Sequence, residues 1–326
     1  AKFEVRGPDA AELLEWACGN RVARDIGAVT YTQALNRRGG IESDFTVTRV
    51  AEDRFWIVTG TAFGTHDQAW LSRQARRRGA RLTVEDVTGR YCCYAVWGPA
   101  ARGLIASLTP ADMSHDAFGF MSAQDITVGD VPVRALRVTF VGELGWELYA
   151  SPEYGRRLWQ QLVDAGREFD AVAGGYQAID SMRLEKGYRV WGRDITPETT
   201  PYEAGLGFAV KLDKPGGFCG REALVSAKEH GLTRRLCALI LGSVGGEAPV
   251  CTGSEPVRVG ARVLGRVTSG GIGYTLGAAI AYAYLPVEVS EPGTEVEVEF
   301  FGRWIPATVT RGPLFDPTGS RVVAEG

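Results

Sequence analysis

The last third of the chain restricts the fold most. From Arg234 onward helical periodicity almost vanishes, and six short β-rich runs (236–241, 257–259, 262–268, 278–285, 295–301 and 304–310) alternate with Gly and Pro turns. Short strands in this rhythm, with no helix to cover an open sheet, predict a small β-barrel or jelly-roll-like unit. A chain of 326 residues has room for about two domains at ~150 residues each, so a larger unit precedes the barrel. The expected division is 1–230 and 231–326.

The first 230 residues mix strands and helices twice over. Asp9 reads as the cap of a helix over 9–22, with Ala10, Leu13, Leu14 and Ala17 at spacings of three and four. Strands are expected over 31–36, 45–50 and 55–59, then a helix over 64–78. Strands over 91–97 and 131–140 bracket a helix opened by Gly98-Pro99, and a helix over 152–167 follows a strand at 148–150. This order argues for two α+β lobes with antiparallel sheets, not a doubly wound parallel sheet. The chain starts Ala-Lys-Phe-Glu-Val, inside a strand and without Met, which suggests that the native polypeptide extends upstream.

Composition narrows the function. A formal net charge of -3, with the basic residues spread along the chain, gives no basic surface for nucleic acid or anionic lipid. No apolar run reaches the ~18 residues of a membrane span, and no signal peptide opens the chain, so a cytoplasmic protein is expected. The six cysteines form no C-x-x-C pair, and His66, His115 and His230 lie far apart, which speaks against a metal site or a disulfide framework. Cys92 and Cys93 read as buried strand residues pointing to opposite faces. The Gly-rich run Ser269 to Gly277 precedes a strand, not a helix, so its glycines read as turns and close backbone approaches, and the chain should carry no FAD or NAD of its own. Trp304 and Arg303 are assigned to a barrel edge.

Three polar runs stand where a core-building sequence would be apolar. In Gly39-Gly40-Ile41-Glu42-Ser43-Asp44-Phe45-Thr46-Val47 the alternation puts Phe45 and Val47 on one strand face and Asp44 and Thr46 on the other, leaving Asp44 as a surface carboxylate or a functional one. In Gly142-Glu143-Leu144-Gly145-Trp146-Glu147, Glu147 either faces solvent from a half-buried strand or binds a ligand in an aromatic setting. From Asp180 to Pro197 a helix stops at Gly187 and delivers Tyr188 and Trp191 into an irregular segment. Asp180 with Arg183 and Glu185 with Arg189 have the spacing of helix ion pairs.

Taken in order, Gly39 to Asp44, Gly142 to Glu147, Asp180 to Tyr188 with Trp191-Gly192, Thr200 to Phe208 and Val267 to Gly271 resemble the folate-binding aminomethyltransferase family. The relatives are the glycine cleavage T-protein and, more closely, the C-terminal half of dimethylglycine and sarcosine dehydrogenases; the resemblance covers nearly the whole chain. It implies two related α+β lobes and a C-terminal barrel around a central cavity that holds tetrahydrofolate. By the same resemblance Asp44 is the catalytic aspartate and Glu147 the pterin-binding glutamate, with Tyr188, Phe208, Val58 and Thr59 lining the folate site. The implied activity is a tetrahydrofolate-dependent one-carbon transferase or demethylase that takes a methylene, iminium or methyl group from an amine or methylated substrate. A flavin amine dehydrogenase domain or subunit is the implied partner.

Two departures from the family pattern stand out. Phe140 replaces the tyrosine usual seven residues before the pterin glutamate, and Ile272-Gly273-Tyr274 replaces Tyr-Gly-His after Ser269-Gly270-Gly271. Ile272, Tyr274 and His66 are therefore the expected substrate-side positions, with His66 also suited to cap its helix or bond the backbone. Two other readings are a relative repurposed for a specialised metabolite with weak or no folate dependence, and a non-catalytic folate-binding scaffold.

Overall fold

The computed structural model describes residues 1–243 and 245–324. The first lobe comprises β1 (Lys2–Arg6), α1 (Ala10–Ala17), β2 (Val29–Leu35), β3 (Ile41–Ala51), β4 (Arg54–Val58), α2 (Gly64–Arg78) and β5 (Thr83–Asp86). Its strands form one antiparallel sheet in the order β2-β3-β4-β1-β5. Strand alternation divides its side chains: Phe45, Val47, Phe55 and Ile57 pack with Leu14 of α1 and Trp70 and Leu71 of α2, while Asp44, Thr46, Trp56 and Val58 occupy the opposite face.

The second lobe repeats the scheme with β6 (Cys92–Trp97), α3 (Ala101–Ala106), β7 (Ala123–Val128), β8 (Val131–Leu136), β9 (Gly145–Ala150) and α4 (Gly155–Gly166). The sheet order is β6-β9-β8-β7, again antiparallel. Trp146, Leu148 and Ala150 pack against Leu104 and Ile105 of α3 and Leu158 and Leu162 of α4. Glu147 and Tyr149 therefore emerge on the face away from the helices. These two helix-free faces meet through Val29, Trp56, Val87, Leu136, Val138 and Tyr149. Trp56 and Tyr149 cross edge to face at 4.7 Å, an arrangement worth about 0.5–1.5 kcal/mol beyond the burial itself.

After α5 (Tyr176–Lys186) and α6 (Arg221–His230) the chain closes a six-stranded barrel from β10 (Arg234–Leu241), β11 (Pro256–Val259), β12 (Arg262–Gly273), β13 (Ala278–Pro286), β14 (Glu295–Phe300) and β15 (Arg303–Thr310). Closure leaves no edge strand, so Trp304 and Arg303 belong to a strand paired on both sides; the Trp304 ring lies 3.8 Å from the Arg258 guanidinium. The run Ser269 to Gly273 is strand, not turn, but close approach does explain its glycines. A Cβ on Gly271 would meet Leu184 at 2.9 Å, and one on Gly273 would meet Ile280 at 2.6 Å. Among the described residues no helix is long and apolar enough to cross a membrane.

Local expectations fail where a side chain finds a better partner. Asp9 does not cap α1; its carboxylate pairs with Arg81. The strand expected over 131–140 stops at Leu136, and the helix expected over 152–167 opens and closes with single 3₁₀ turns. Arg183 does pair with Asp180, at 2.7 Å, but Glu185 and Arg189 do not pair. Glu185 accepts the backbone N–H groups of Thr275 and Leu276, and Arg189 donates to the carbonyl oxygens of Gly187 and Ala204.

The barrel is fastened to the lobes by a buried charge pair. Arg183 of α5 and Asp194 are each 1% exposed and lie 2.9 Å apart, and Asp194 also accepts from Thr268 and Ser269 of β12 and from the Val190 backbone N–H. Asp194→Ala would take from Arg183 its buried carboxylate, leaving Asp180 as its one remaining carboxylate partner among the described residues, a loss of about 3 kcal/mol. It is expected to lower the thermal midpoint sharply, whereas loss of the exposed Arg21–Asp213 pair should change it little; calorimetric melting of the two variants checks this.

Candidate functional site

Asp44 stands on the inner face of β3, opposite Gln33 and diagonal to Tyr31 on β2. The Tyr31 hydroxyl donates to Asp44 Oδ2 at 3.2 Å, and Phe208 stacks on the Tyr31 ring at 6.2 Å. No other residue's donor is placed on the remaining carboxylate oxygen among the described residues. Burial pushes the Asp44 carboxyl up to about 7; the Tyr31 bond opposes this and the nearby Asp67 charge adds to it. The Gly39-Gly40 turn serves this strand, because a Cβ on Gly40 would lie 1.9 Å from the Pro197 carbonyl oxygen, beside the Ile41 N–H to Thr199 bond of 2.9 Å.

Glu147 stands in the second lobe on β9, the counterpart of β4 rather than of β3. It lies on the inner face of β9, opposite Ala95, and the Tyr149 hydroxyl donates to its Oε2. Burial raises its carboxyl, opposed by the Tyr149 bond and the Lys2 charge. Burial of the thiol's surroundings also drives the adjacent Cys93 up to about 12, although its side chain is exposed. The expectation of a buried residue therefore fails at Cys93. Cys92, half-buried, packs on the helix side.

The remaining candidates fall into three groups. Val58 pairs with Thr46, two residues from Asp44, and joins the cluster around Trp56 and Tyr149, so it links the two carboxylate faces. Tyr188 and Phe140 stack on each other at 6.0 Å, and Phe140 is 37% exposed while Phe208 is 65% exposed. Arg189, next to Tyr188, lies close enough to Tyr31 to act on its hydroxyl electrostatically. Contacts thus run from Asp44 through Tyr31 to Phe208, and from Glu147 through Tyr149, Trp56 and Val58 back to β3, while Tyr188 and Phe140 form a separate stack.

Thr59 lies beside Asp44, its hydroxyl 3.3 Å from the Asp44 carbonyl oxygen, and with His66 it gathers around Asp67. The Thr59 hydroxyl donates to Asp67 at 2.7 Å, and the His66 ring lies between Asp67 at 3.0 Å and Glu42 at 3.6 Å and packs on Trp191. His66 therefore neither caps α2 nor bonds the backbone. Ile272 packs on the barrel interior and its carbonyl accepts the Ser181 hydroxyl at 2.6 Å. Tyr274 is 80% exposed on the turn after β12, and no hydrogen bond or ring contact ties it to the other candidates among the described residues.

Tyr31, Tyr149 and Asp67 were not among the expected site residues. The first two were within reach of period-two reasoning, since Tyr149 is two residues from Glu147 on one strand. Asp67 offered no such signal, because only the tertiary fold brings α2 over β3.

A family model described as the GCVT N-terminal domain matches residues 1–214, and one described as the glycine cleavage T-protein C-terminal barrel domain matches residues 234–316. Mitochondrial dimethylglycine dehydrogenase of Rattus norvegicus is 36% identical over 327 residues, covering 100% of this chain and 38% of that protein. The chain thus spans well under half of that relative. An aminomethyltransferase of Symbiobacterium thermophilum is 35% identical over 317 residues, covering 96% of this chain and 84% of the relative. Among solved structures, the glycine cleavage system aminomethyltransferase T from Bartonella henselae superposes with a TM-score of 0.84 at 29% identity, covering 97% of this chain and 84% of that one. Two carboxylates on facing strand faces, a closed barrel behind them and these matches together show that the chain belongs to the glycine cleavage T-protein, or aminomethyltransferase, family.

Proposed function

We propose that this chain is a tetrahydrofolate-dependent one-carbon transferase that moves a methylene, iminium or methyl group from an amine or methylated substrate onto tetrahydrofolate. The observation that carries the reading is the pair Asp44 and Glu147. Each is half-buried, each has one oxygen engaged by a tyrosine hydroxyl, and the other oxygen of each takes no bond from a neighbouring residue among the described residues. A scaffold gains nothing from two such carboxylates, which cost free energy to bury. They suit a ligand that is rich in N–H donors and flanked by aromatic surface, as a reduced pterin with its aminobenzoyl group is.

Tetrahydrofolate supplies the amine nitrogens that capture the carbon. The free oxygen of Glu147 accepts pterin N–H groups, and the exposed faces of Phe140 and Phe208, backed by Tyr188 and Tyr31, offer aromatic surface to the rings. If the usual tyrosine hydroxyl pairs with a pterin atom, Phe140 would leave that atom to water at a cost of about 1–3 kcal/mol. Asp44, held by Tyr31 and titrating near neutrality, is poised to take the proton released as a folate nitrogen bonds to carbon. Holding acceptor and carbon together also limits escape of free formaldehyde.

The family division sits at 1–230 and 231–326 on this reading. The carbon donor would come from a flavin amine dehydrogenase unit, on the same polypeptide or a separate subunit. That proposal rests on the dehydrogenase relatives, of which this chain spans only part. Relatives of both kinds, mitochondrial dimethylglycine dehydrogenase and bacterial aminomethyltransferases, fit this reading.

Calorimetric titration with tetrahydrofolate under anaerobic conditions should give a one-site isotherm. Glu147→Gln removes charge-assisted bonds worth about 1.5–3 kcal/mol and should weaken it by about 10- to 100-fold. Asp44→Asn should bind folate normally but lower the yield of 5,10-methylenetetrahydrofolate from an enzymically generated iminium by a factor of about 10² to 10⁴. A flat isotherm for the unmodified chain would favour the repurposed relative, and unchanged transfer by Asp44→Asn would favour the scaffold.

The raised Asp44 carboxyl also makes a stability prediction. Because its folded value of about 7 lies above the ordinary 3.8, the native state holds the proton more tightly, and the fold loses stability as pH rises from about 4 through 7. Asp44→Asn should therefore melt above the unmodified chain at pH 8 and lose that advantage by pH 4, as thermal scans across this range would show.

A further inference from the structure

The carboxylate that lies nearest to Asp44 in effect is not part of the folate reading. Asp67, in the first turn of α2, is 2% exposed and accepts the Ser43 hydroxyl at 2.7 Å on one oxygen and the Thr59 hydroxyl at 2.7 Å on the other. Ser43 immediately precedes Asp44, and Thr59 Oγ1 also lies 3.3 Å from the Asp44 carbonyl oxygen. One buried carboxylate therefore ties the catalytic stretch of β3 to the end of β4. Two hydroxyl donors and a helix first turn favour a carboxylate anion at this position.

We infer that Asp67 is a positioning residue for the one-carbon reaction: it locks Ser43-Asp44 against Thr59 and, through its buried charge, sets how readily Asp44 takes up and gives back a proton. The inference rests on the transfer reading for its kinetic meaning only. Like charges close together in a site of low dielectric disfavour the second ionisation, which agrees with Asp67 adding to the upward displacement of Asp44. The groups facing the pair are Tyr31 on Asp44 from β2, Arg189 acting on Tyr31 from beyond α5, His66 on Asp67 from α2, Glu42 on His66 from β3, and the Ala1 amino group on Asp67 from the start of β1.

A merely structural clamp and an electrostatic one differ in what they move. Carboxyl titrations by carbon-13 NMR of the chain alone, with Asp44→Asn and Asp67→Asn as assignment controls, read the coupling without folate, so a failed folate isotherm and a failed inference are separate results. Asp67→Asn is expected to lower the Asp44 midpoint by about one pH unit. In the kinetic assay the acidic limb of transfer should move down in pH by the same amount. Ser43→Ala and Thr59→Val loosen the clamp but keep the charge, and should lower the maximal rate without lowering the midpoint. Should Asp67→Asn not fold, the unmodified chain still decides: the Asp67 resonance should carry a second inflection at the Asp44 midpoint that vanishes in Asp44→Asn. His66→Gln should leave that inflection in place. An Asp44 midpoint unmoved by Asp67→Asn, no second inflection, or an inflection lost with His66 would each overturn the inference.

Discussion

The arrangement depends on the buried pairing of Arg183 with Asp194. Moving two charges out of water costs several kcal/mol per ion, and a single contact would not repay that. Here the pair is repaid by several directional bonds: Asp180 at Arg183 Nε, the Tyr188 carbonyl at Nη1, and Thr268, Ser269 and the Val190 N–H at Asp194, with Arg183 Nη2 left without a partner among the described residues. Because those partners belong to α5, to the segment after it and to β12, the bonds form only when all three are in register. The Tyr284 hydroxyl reaches the Asp194 carbonyl at 2.7 Å and the Tyr282 hydroxyl reaches that of Leu184 at 3.0 Å, extending the joint along β13. Tyr188 and Arg189 leave this joint directly, so the geometry that docks the barrel also sets where the stack of Tyr188 and Phe140 stands.

Strand alternation then does the rest. Each lobe covers one sheet face with helices and turns the other toward its counterpart, and a polar residue on that second face is enclosed without being sealed off. This explains how Asp44 and Glu147 can be half-buried and still have carboxyls raised by burial. A ligand between the faces would replace water at those groups while the tyrosines continue to orient them, which is the preorganisation a transfer site needs.

Much of this was legible in the residues. Five of the six barrel strands fall within a few residues of expectation, because Gly and Pro punctuation acts locally and the helical period is absent, whereas β12 runs five residues further, through Gly270, Gly271 and Gly273. Helix 64–78 agrees to the residue, its C-terminus fixed by Gly79 in the left-handed region. The faces of Asp44 and Glu147 follow from a period of two. What remained hidden is tertiary: Glu185 and Arg189 have ideal helix spacing, but Glu185 is captured by the backbone of the turn after β12 and Arg189 lies beyond the helix end at Gly187. Exposure of Cys93 is likewise tertiary, and no local pattern encodes it.

Each lobe sets a tyrosine hydroxyl on a carboxylate, Tyr31 from the strand beside Asp44 and Tyr149 from the same strand as Glu147, and yet they do not make equal groups. The difference lies one neighbour further out. Beside Glu147 is a cation, Lys2, which opposes the effect of burial; beside Asp44 is an anion, Asp67, which adds to it. A carboxyl whose ionised form is supported from outside is suited to remain an acceptor of N–H bonds, while one pushed toward neutrality is suited to exchange a proton at ordinary pH. Both carboxyls are raised chiefly by burial, and the charge beside each modifies that common effect in opposite senses. In this chain the two charges come from the first lobe alone, Lys2 from β1 acting on Glu147 across the lobe interface and Asp67 from α2 acting on Asp44 within its own lobe.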